Sequence, residues 1–430
     1  MILLKIQLNK ENFIKLIKKK PIVIWGARMT GIGFTRFSKK HDLEIIGFVD
    51  SDNSLQGLKI DNYTIYHPES IISMKLQYDN LLVLIAVALK EAEIINAIKS
   101  MGLNETDYIN YSDYVDVFYT IDIVGTCNLR CPSCSWSMDN ITNTKGVMSF
   151  DKFKKITKKM ISETNIISHV SLYSWGDPLL HPKIHLFIDH LHDLGIATAL
   201  STNLSFQSPD LIQKVVKSSP EYLKISLSGY YPEAYNSTHT GGDINLVKSN
   251  LYRLKYYIEK YESKIFVDVN YHLYKNNCGK NLDKMRELSE ELGFALSTTY
   301  ALVMPLERVL DHCVGKPDEQ TVNLSKLLLV DIDEGIEITK EYHDQPCRFL
   351  TNQVNISWDG SVPLCCVAFD KQLSDISQNY LDNSLAEISQ KKENHPLCKK
   401  CMGYGLPAYN LGVNQKGWEN MANQKSTTDN

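Results

Sequence analysis

Cys127, Cys131 and Cys134 stand in the run CNLRCPSC, three thiols separated by three and then two residues. Three thiolates do not close a tetrahedral protein site. They can hold three irons of a [4Fe–4S] cube and leave the fourth open, where a small molecule with an amine and a carboxylate can chelate. The same spacing also suits three of four zinc ligands. A second set lies downstream: Cys347 and Cys365, then Cys398 and Cys401 as a Cys-x2-Cys pair. Four thiolates can saturate a cube or bind a zinc. Cys366 competes with Cys365, which is favoured by its spacing from Gly360. Cys278 and Cys313 have no partner at ligand spacing and are expected to be free thiols.

These cysteines sit in a chain of three regions and a tail. Residues 1–115 carry a short amphipathic helix with Ile14 and Ile17, the buried-strand run PIVIWG, the turn ARMTG, and the strand LEIIGFVD. The strand Leu81–Val87 and the helix Glu91–Ser100 follow. That order predicts a Rossmann-like parallel sheet. Residues 116–335 alternate strands and helices six times, with strands at Tyr119–Val124, Val170–Ser174, Ala197–Ser201, Leu223–Ser228, Phe266–Asn270 and Ala295–Thr299. Ile184, Phe187, Ile188, Leu191 and Leu194 form one apolar helix stripe that stops at Gly195. Repeated βα units imply an α/β fold with parallel strands, as an open sheet or partial barrel, and chemistry at the C-terminal strand ends. The first cysteine loop begins three residues after the first of these strands. Residues 336–412 hold the second set. There Val354, Ile356 and Trp358 alternate up to Asp359-Gly360, and Val362 and Leu364 after it, the pattern of a β-hairpin with a tight turn. Residues 413–430 are polar and expected to be mobile.

The cysteine triad, with Trp136 just beyond it, resembles the cluster loop of the radical S-adenosylmethionine (SAM) enzymes. The resemblance covers the whole middle region. Trp175-Gly176-Asp177-Pro178 looks like the family's Gly-Gly-Glu-Pro turn, with Trp for the first Gly and Asp for the Glu, so the acid reaches one methylene less far. Asn203 after the third strand and Ser226 and Ser228 at the fourth fall where relatives border the SAM pocket. Trp136 either stacks on the adenine, in place of the aromatic many relatives carry before the third cysteine, or packs. The resemblance implies a partial (βα)6 barrel, a [4Fe–4S] cluster on Cys127, Cys131 and Cys134, and SAM cleaved to a 5′-deoxyadenosyl radical that takes hydrogen from a substrate carbon. It also implies a reductant such as flavodoxin or ferredoxin. The C-terminal set resembles the auxiliary-cluster domain called SPASM in full form and twitch when shortened. With no cysteine after Cys401, it looks like the one-cluster twitch form. That implies one auxiliary [4Fe–4S] cluster on Cys347, Cys365, Cys398 and Cys401 as an electron acceptor, and oxidation of a carbinol.

The first region offers a second, looser signal. Gly26 to Gly31 opens a helix, and Asp50 ends the next strand; a diphosphate and a ribose hydroxyl would suit them. The dinucleotide fingerprint lacks its middle Gly, and Arg28 would lie near any phosphate. An ordinary structural turn explains the run equally well. The run WGARMTG with GFVDSDNSLQGLKI is similar to Rossmann-like domains of nucleotide-sugar enzymes, which implies a sugar or nucleotide-sugar substrate. Peptide maturation, redox-neutral epimerisation or dehydration, and non-catalytic electron transfer are the rivals. No residue stands out as a general base; His272 and Tyr300 could face the substrate, Arg348 could tune a cluster, and His181 reads as helix-start structure.

Composition narrows the partners. The chain has 430 residues, 43% of them hydrophobic, with a formal charge of −4. Nothing there marks a nucleic-acid footprint. No stretch approaches the roughly 20 apolar residues of a membrane span. The start, MILLKIQLNKENF, lacks a signal-peptide core, and ten cysteines in such a chain point to metal or redox use in the cytosol.

Overall fold

The computed structural model describes residues 10–88, 90–138, 143 and 145–428. Residues 1–9, on which the absence of a leader core was read, and the last two residues of the tail lie outside it.

The first six strands are β1 (Ile22–Trp25), β2 (Ile45–Val49), β3 (Lys59–Ile60), β4 (Tyr63–Tyr66), β5 (Leu82–Ile85) and β6 (Tyr108–Asn110). They form one sheet in the order β3-β4-β2-β1-β5-β6, parallel except for the β3–β4 edge. Every residue of β1 and β5 is buried. Runs such as IVIW and LVLI are what strands covered on both faces require.

The next six strands, β7 (Phe118–Ile121), β8 (Val170–Ser171), β9 (Thr198–Thr202), β10 (Tyr222–Ser226), β11 (Phe266–Leu273) and β12 (Ala295–Tyr300), are parallel neighbours in sequence order. Helices pack outside them. The helix Ile184–Asp193 buries Ile184, Phe187, Ile188 and Leu191, and the chain turns at Gly195 with φ +72°. This is the α/β architecture of six βα units expected from the sequence.

The hairpin expectation is corrected. The Asp359-Gly360 turn forms, with Gly360 at φ +93° and its N–H donating to Ser357 O. Ser357 N–H donates to Ser361 O across the turn, but beyond that bond the two arms do not pair with each other. β13 (Gln353–Ile356) lies parallel beside β7 and adds a seventh strand, whereas β14 (Val362–Pro363) pairs antiparallel with β15 (Asp375–Ser377). Val354 and Ile356 join the barrel's core, and β7 gains a partner on its open edge.

The first domain closes the bottom of the barrel. The helix Met29–His41 buries Phe34 and Phe37 in a cluster with Ala199, Tyr222, Phe266 and Ala295 from the barrel strands. A Cβ on Gly33 would come within 2.6 Å of Ser168 O, so glycine permits the approach. Arg36 Nε pairs with Glu221 at 2.5 Å.

The polar tail, expected to be mobile, is the helix Gln415–Thr428. Trp418 is 1% exposed and lies near the rings of Tyr300 and Tyr409. One large apolar side chain outweighs a polar average here.

Candidate active site and thiol centres

The loop after β7 carries the cysteine triad. Leu129 N–H donates to Cys127 Sγ at 3.5 Å, and Asn203 Nδ2 points at the same sulfur at 3.6 Å. Donors aimed at sulfur suit an anionic thiolate. Burial pushes the Cys127 thiol up to about 12, helped by Asp177, and holds Cys131 and Cys134 above the usual thiol range. Cys127 and Cys134 add to the shift at Cys131, so the three face one another electrostatically. Metal binding deprotonates such thiols. Arg308, 2% exposed, donates through NH1 to Pro132 O at 2.9 Å inside the loop and draws Cys134 toward the thiolate. Among the described residues no three His, Cys, Asp or Glu groups close on a single metal ion. The donors, the buried cation and the clustered thiols fit an anionic iron–sulfur group.

The turn at 175–178 packs on this loop. A Cβ on Gly176 would lie 1.6 Å from Val124 O, so only glycine fits. Asp177 N–H donates to Thr126 O at 3.0 Å. The Asp177 carboxylate accepts from Thr202 Oγ1, Asn203 N–H and Leu179 N–H, all within 3.0 Å. It is saturated by the protein, and burial pushes it up to about 6. The Asp177 carboxylate is therefore not available to an amine at this turn. Pro178 starts the short helix Pro178–Leu180 that Asp177 caps. Of the two expectations for Trp136, the structure supports packing. It is 3% exposed, and its Nε1 donates to Trp175 O at 2.8 Å.

The other candidates separate. Asn203 joins the site, its amide bridging Cys127 and Asn128. Ser226 ends β10, and its carbonyl lies 3.1 Å from His239 Nε2. Ser228 is engaged within the barrel wall, accepting from His272 N–H at 2.9 Å. Burial pushes His272 down to about 3, so it is a neutral imidazole. Tyr300 lies against Trp418, His181 lies 3.1 Å from Met148 O, and Arg348 reaches toward Glu91 of the first domain.

Cys347, Cys365, Cys398 and Cys401 line one hollow of about 390 Å³, part of it open to solvent. Cys366 does not line it. Cys347, Cys365 and Cys398 each push Cys401 upward, behind burial. Leu306, Leu364 and Val367 complete an apolar wall. Four thiols around a hollow fit a cluster. Beside them Lys392 is 1% exposed, its Nζ donating to the carbonyls of Phe349 and Gln353. Burial lowers its pKa, and the neighbouring thiols oppose that shift. Cys278 donates to Tyr274 O at 3.1 Å, and Cys313 is a free thiol.

The glycine turn of the first domain meets the barrel floor. Arg28 NH1 donates to Asp268 on β11 at 2.6 Å, and NH2 to Asp52 at 2.7 Å. Asp50 accepts from Ala27 N–H and Asp52 N–H. The groups that might take a phosphate and a ribose are engaged by protein.

The sequence reading missed Arg308 and Lys392. The doublet Lys391-Lys392 at a helix end reads as a solvated basic pair, but Lys392 faces inward. Arg308 carried a faint signal as the single cation within the first turn and a half of an otherwise amphipathic helix, Leu306–Cys313.

Residues 121–273 match the radical SAM superfamily, and residues 18–109 match the C2185-like N-terminal family. The chain is 24% identical over 255 residues to the tungsten-containing aldehyde ferredoxin oxidoreductase cofactor-modifying protein of Pyrococcus furiosus, covering 57% of this chain and 69% of that one. It is 22% identical over 297 residues to a probable GTP 3′,8-cyclase of Methanococcus maripaludis, covering 65% and 96%. Among solved structures, anSMEcpe with bound AdoMet aligns at TM-score 0.45 and 17% identity, covering 71% of this chain and 93% of that one. No helix among the described residues is long and apolar enough to cross a membrane.

Proposed function

We propose that this chain, whose middle region is a radical SAM domain, is an enzyme that oxidises a carbohydrate, free or nucleotide-linked, by hydrogen abstraction. The observation that carries this is the pairing of two thiol centres in one molecule: an open triad at 127–134 and a four-cysteine hollow at 347–401. When bound, a cluster and SAM at the first centre would supply a hydrogen-abstracting radical, and a cluster at the second would accept the electron that oxidation releases.

The chain's own residues do the rest. Cys127, Cys131 and Cys134 would hold the first cluster, with Asn203 and Leu129 donating to a sulfur and Arg308 offsetting charge. Trp175, Gly176 and Pro178 shape the turn, Asp177 braces it from behind, and Trp136 locks it to the cysteine loop. Ser226 would border the same pocket, with Ser228 behind it holding the wall at His272. Cys347, Cys365, Cys398 and Cys401 would hold the second cluster, with Lys392 as a buried counter-charge. The first domain, a six-stranded sheet docked by Arg28, acts as the barrel's floor.

The test is anaerobic reconstitution with iron and sulfide, followed by turnover with SAM and a panel of sugars. The reading expects about eight irons, and one carbonyl product for each 5′-deoxyadenosine formed. About four irons with a zinc, and a product at the substrate's oxidation level, would instead support epimerisation or elimination.

A further inference from the structure

Among the described residues of the barrel's inner face, one charged group is left unpaired. Along β10, Leu223 and Ile225 join the outer core under the helices, so Tyr222, Lys224 and Ser226 face inward. Lys224 is the single lysine or arginine in the six barrel strands, and Asp268 is the single acid. The two are register partners on β10 and β11, where an ion pair would be the ordinary outcome. It does not form. Asp268 accepts instead from Arg28 NH1 of the first domain at 2.6 Å, from Ser297 Oγ at 2.7 Å, and from Tyr222 Oη.

Lys224 is left with the ring of Tyr173, whose centroid lies 5.3 Å from Nζ. A ring face steadies an ammonium without neutralising it. The side chain is half-buried, and Nζ has no hydrogen-bond or ion-pair partner among the described residues. Ser201 of β9, the register partner on its other side, is likewise unpartnered through Oγ. Neither atom is among the sealed, unsatisfied groups of the interior, so both are open to solvent. The charge is felt further up the barrel. It adds to burial in depressing the imidazole of His272, four positions beyond Asp268 toward the C-terminal end of β11. Ser226, which would border the SAM pocket, stands two residues on, roughly 6.6 Å along the same face of β10. A half-buried cation beside an open hydroxyl, with its nearest acid already taken, suits an anion brought from outside. A neutral ring would leave the charge uncompensated, and an ammonium would be repelled.

We infer that Lys224, with Ser201 beside it, anchors the substrate from beneath the SAM pocket, and that the substrate carries a carboxylate or phosphate for it to hold. The inference rests on the proposed function for the claim that the ligand is a carbohydrate, and narrows it to an acidic or phosphorylated one. The first domain contributes indirectly, since Arg28 occupies Asp268 and so leaves Lys224 available.

The experiment is anaerobic isothermal titration of the iron-loaded, SAM-bound full chain with glucose, glucuronate, glucose 1-phosphate and UDP-glucose. At least one of the three anions should bind about tenfold tighter than glucose, and high salt should narrow that margin. The carboxylate and phosphate arms tell the two sources apart. Lys224→Met should weaken the preferred anion by about thirtyfold, with iron content, SAM affinity and unfolding midpoint unchanged. Lys224→Arg should stay within about fivefold of the parent. Anions that bind no better than glucose, or that bind equally well to Lys224→Met, overturn the assignment. A loss of SAM affinity in that variant overturns it too, because the SAM carboxylate would then be the occupant. If an anion binds through Lys224 but no carbohydrate yields a carbonyl product, the site stands and the proposed oxidation falls.

Discussion

The two thiol centres are built on opposite plans. The first lies on one loop at the top of a parallel barrel, and its surroundings come from other strands: Asn203 after β9, the Asp177 turn after β8, and Arg308 from beyond β12. The second draws its thiols from widely separated segments, Cys347 before the short helix Arg348–Asn352 and Cys398 and Cys401 on the helix Pro396–Gly403. Its wall is apolar, with one buried lysine alongside. Three thiols with polar neighbours leave room for an exchangeable ligand; four in an apolar hollow seal a group in place. On the proposed function, that difference would separate a centre that reacts from one that holds charge.

The most damaging substitution should be Cys131→Ala. We expect loss of about four irons and a fall in 5′-deoxyadenosine formation of about a thousandfold, read by iron assay and chromatography. Retained SAM cleavage would erase the distinction between the centres. Cys398→Ala with Cys401→Ala should remove a similar amount of iron yet leave SAM cleavage within about tenfold, while the oxidised product disappears. Should both centres fail together in that variant, the second is part of the first's scaffold.

Smaller changes sharpen the contrast. Arg28→Ala should cost about 2 kcal/mol in denaturant unfolding, since it leaves buried Asp268 with only Tyr222 and Ser297. Lys392→Met should lower the second centre's midpoint by about 60 mV in a redox titration followed by electron paramagnetic resonance, and leave the first unmoved. Arg36→Ala should have the least effect, and one that depends on pH. Burial raises Glu221, but His192 and Arg36 overcome it and depress the carboxyl. The stability this group adds is full above its unfolded value near 4.5 and is lost as pH falls through its lower folded value. Unfolding curves for Arg36→Ala and the parent should therefore converge in acid.

Local patterns were legible where a local rule governs. The six βα units followed from apolar periodicity, and the glycine at 176 from the resemblance of its turn to the Gly-Gly-Glu-Pro turn of the radical SAM enzymes. The hairpin was misjudged because alternation around Asp359-Gly360 specifies a turn but not which sheet receives each arm; β7's open edge decided that. The tail was misjudged because average polarity hides Trp418. Among site residues, spacing found the cysteines, whereas Arg308 and Lys392 owe their roles to burial created by distant segments. Asp122 was unread because a lone acid ending an apolar strand has no signature. Its role comes from the turn at 175–178, whose Trp175 and Gly176 N–H groups it holds from more than 50 positions away.

One feature of the sheet bears on how the protein is made. Tyr119 of β7 pairs with Val354 of β13, so the barrel's outer edge waits for a segment translated long after it. At about 5–20 residues per second, that edge stays bare on the ribosome for roughly 10–50 s. An unpaired strand with apolar neighbours invites chaperones or a wrong partner in that interval. Because Trp358, just past β13, also clasps Gly125 beside the cysteine loop, the first thiol centre is not fully walled until the last domain has emerged. Iron loading should then follow release of the chain, which makes nascent-chain iron uptake and folding yield two readings of one event.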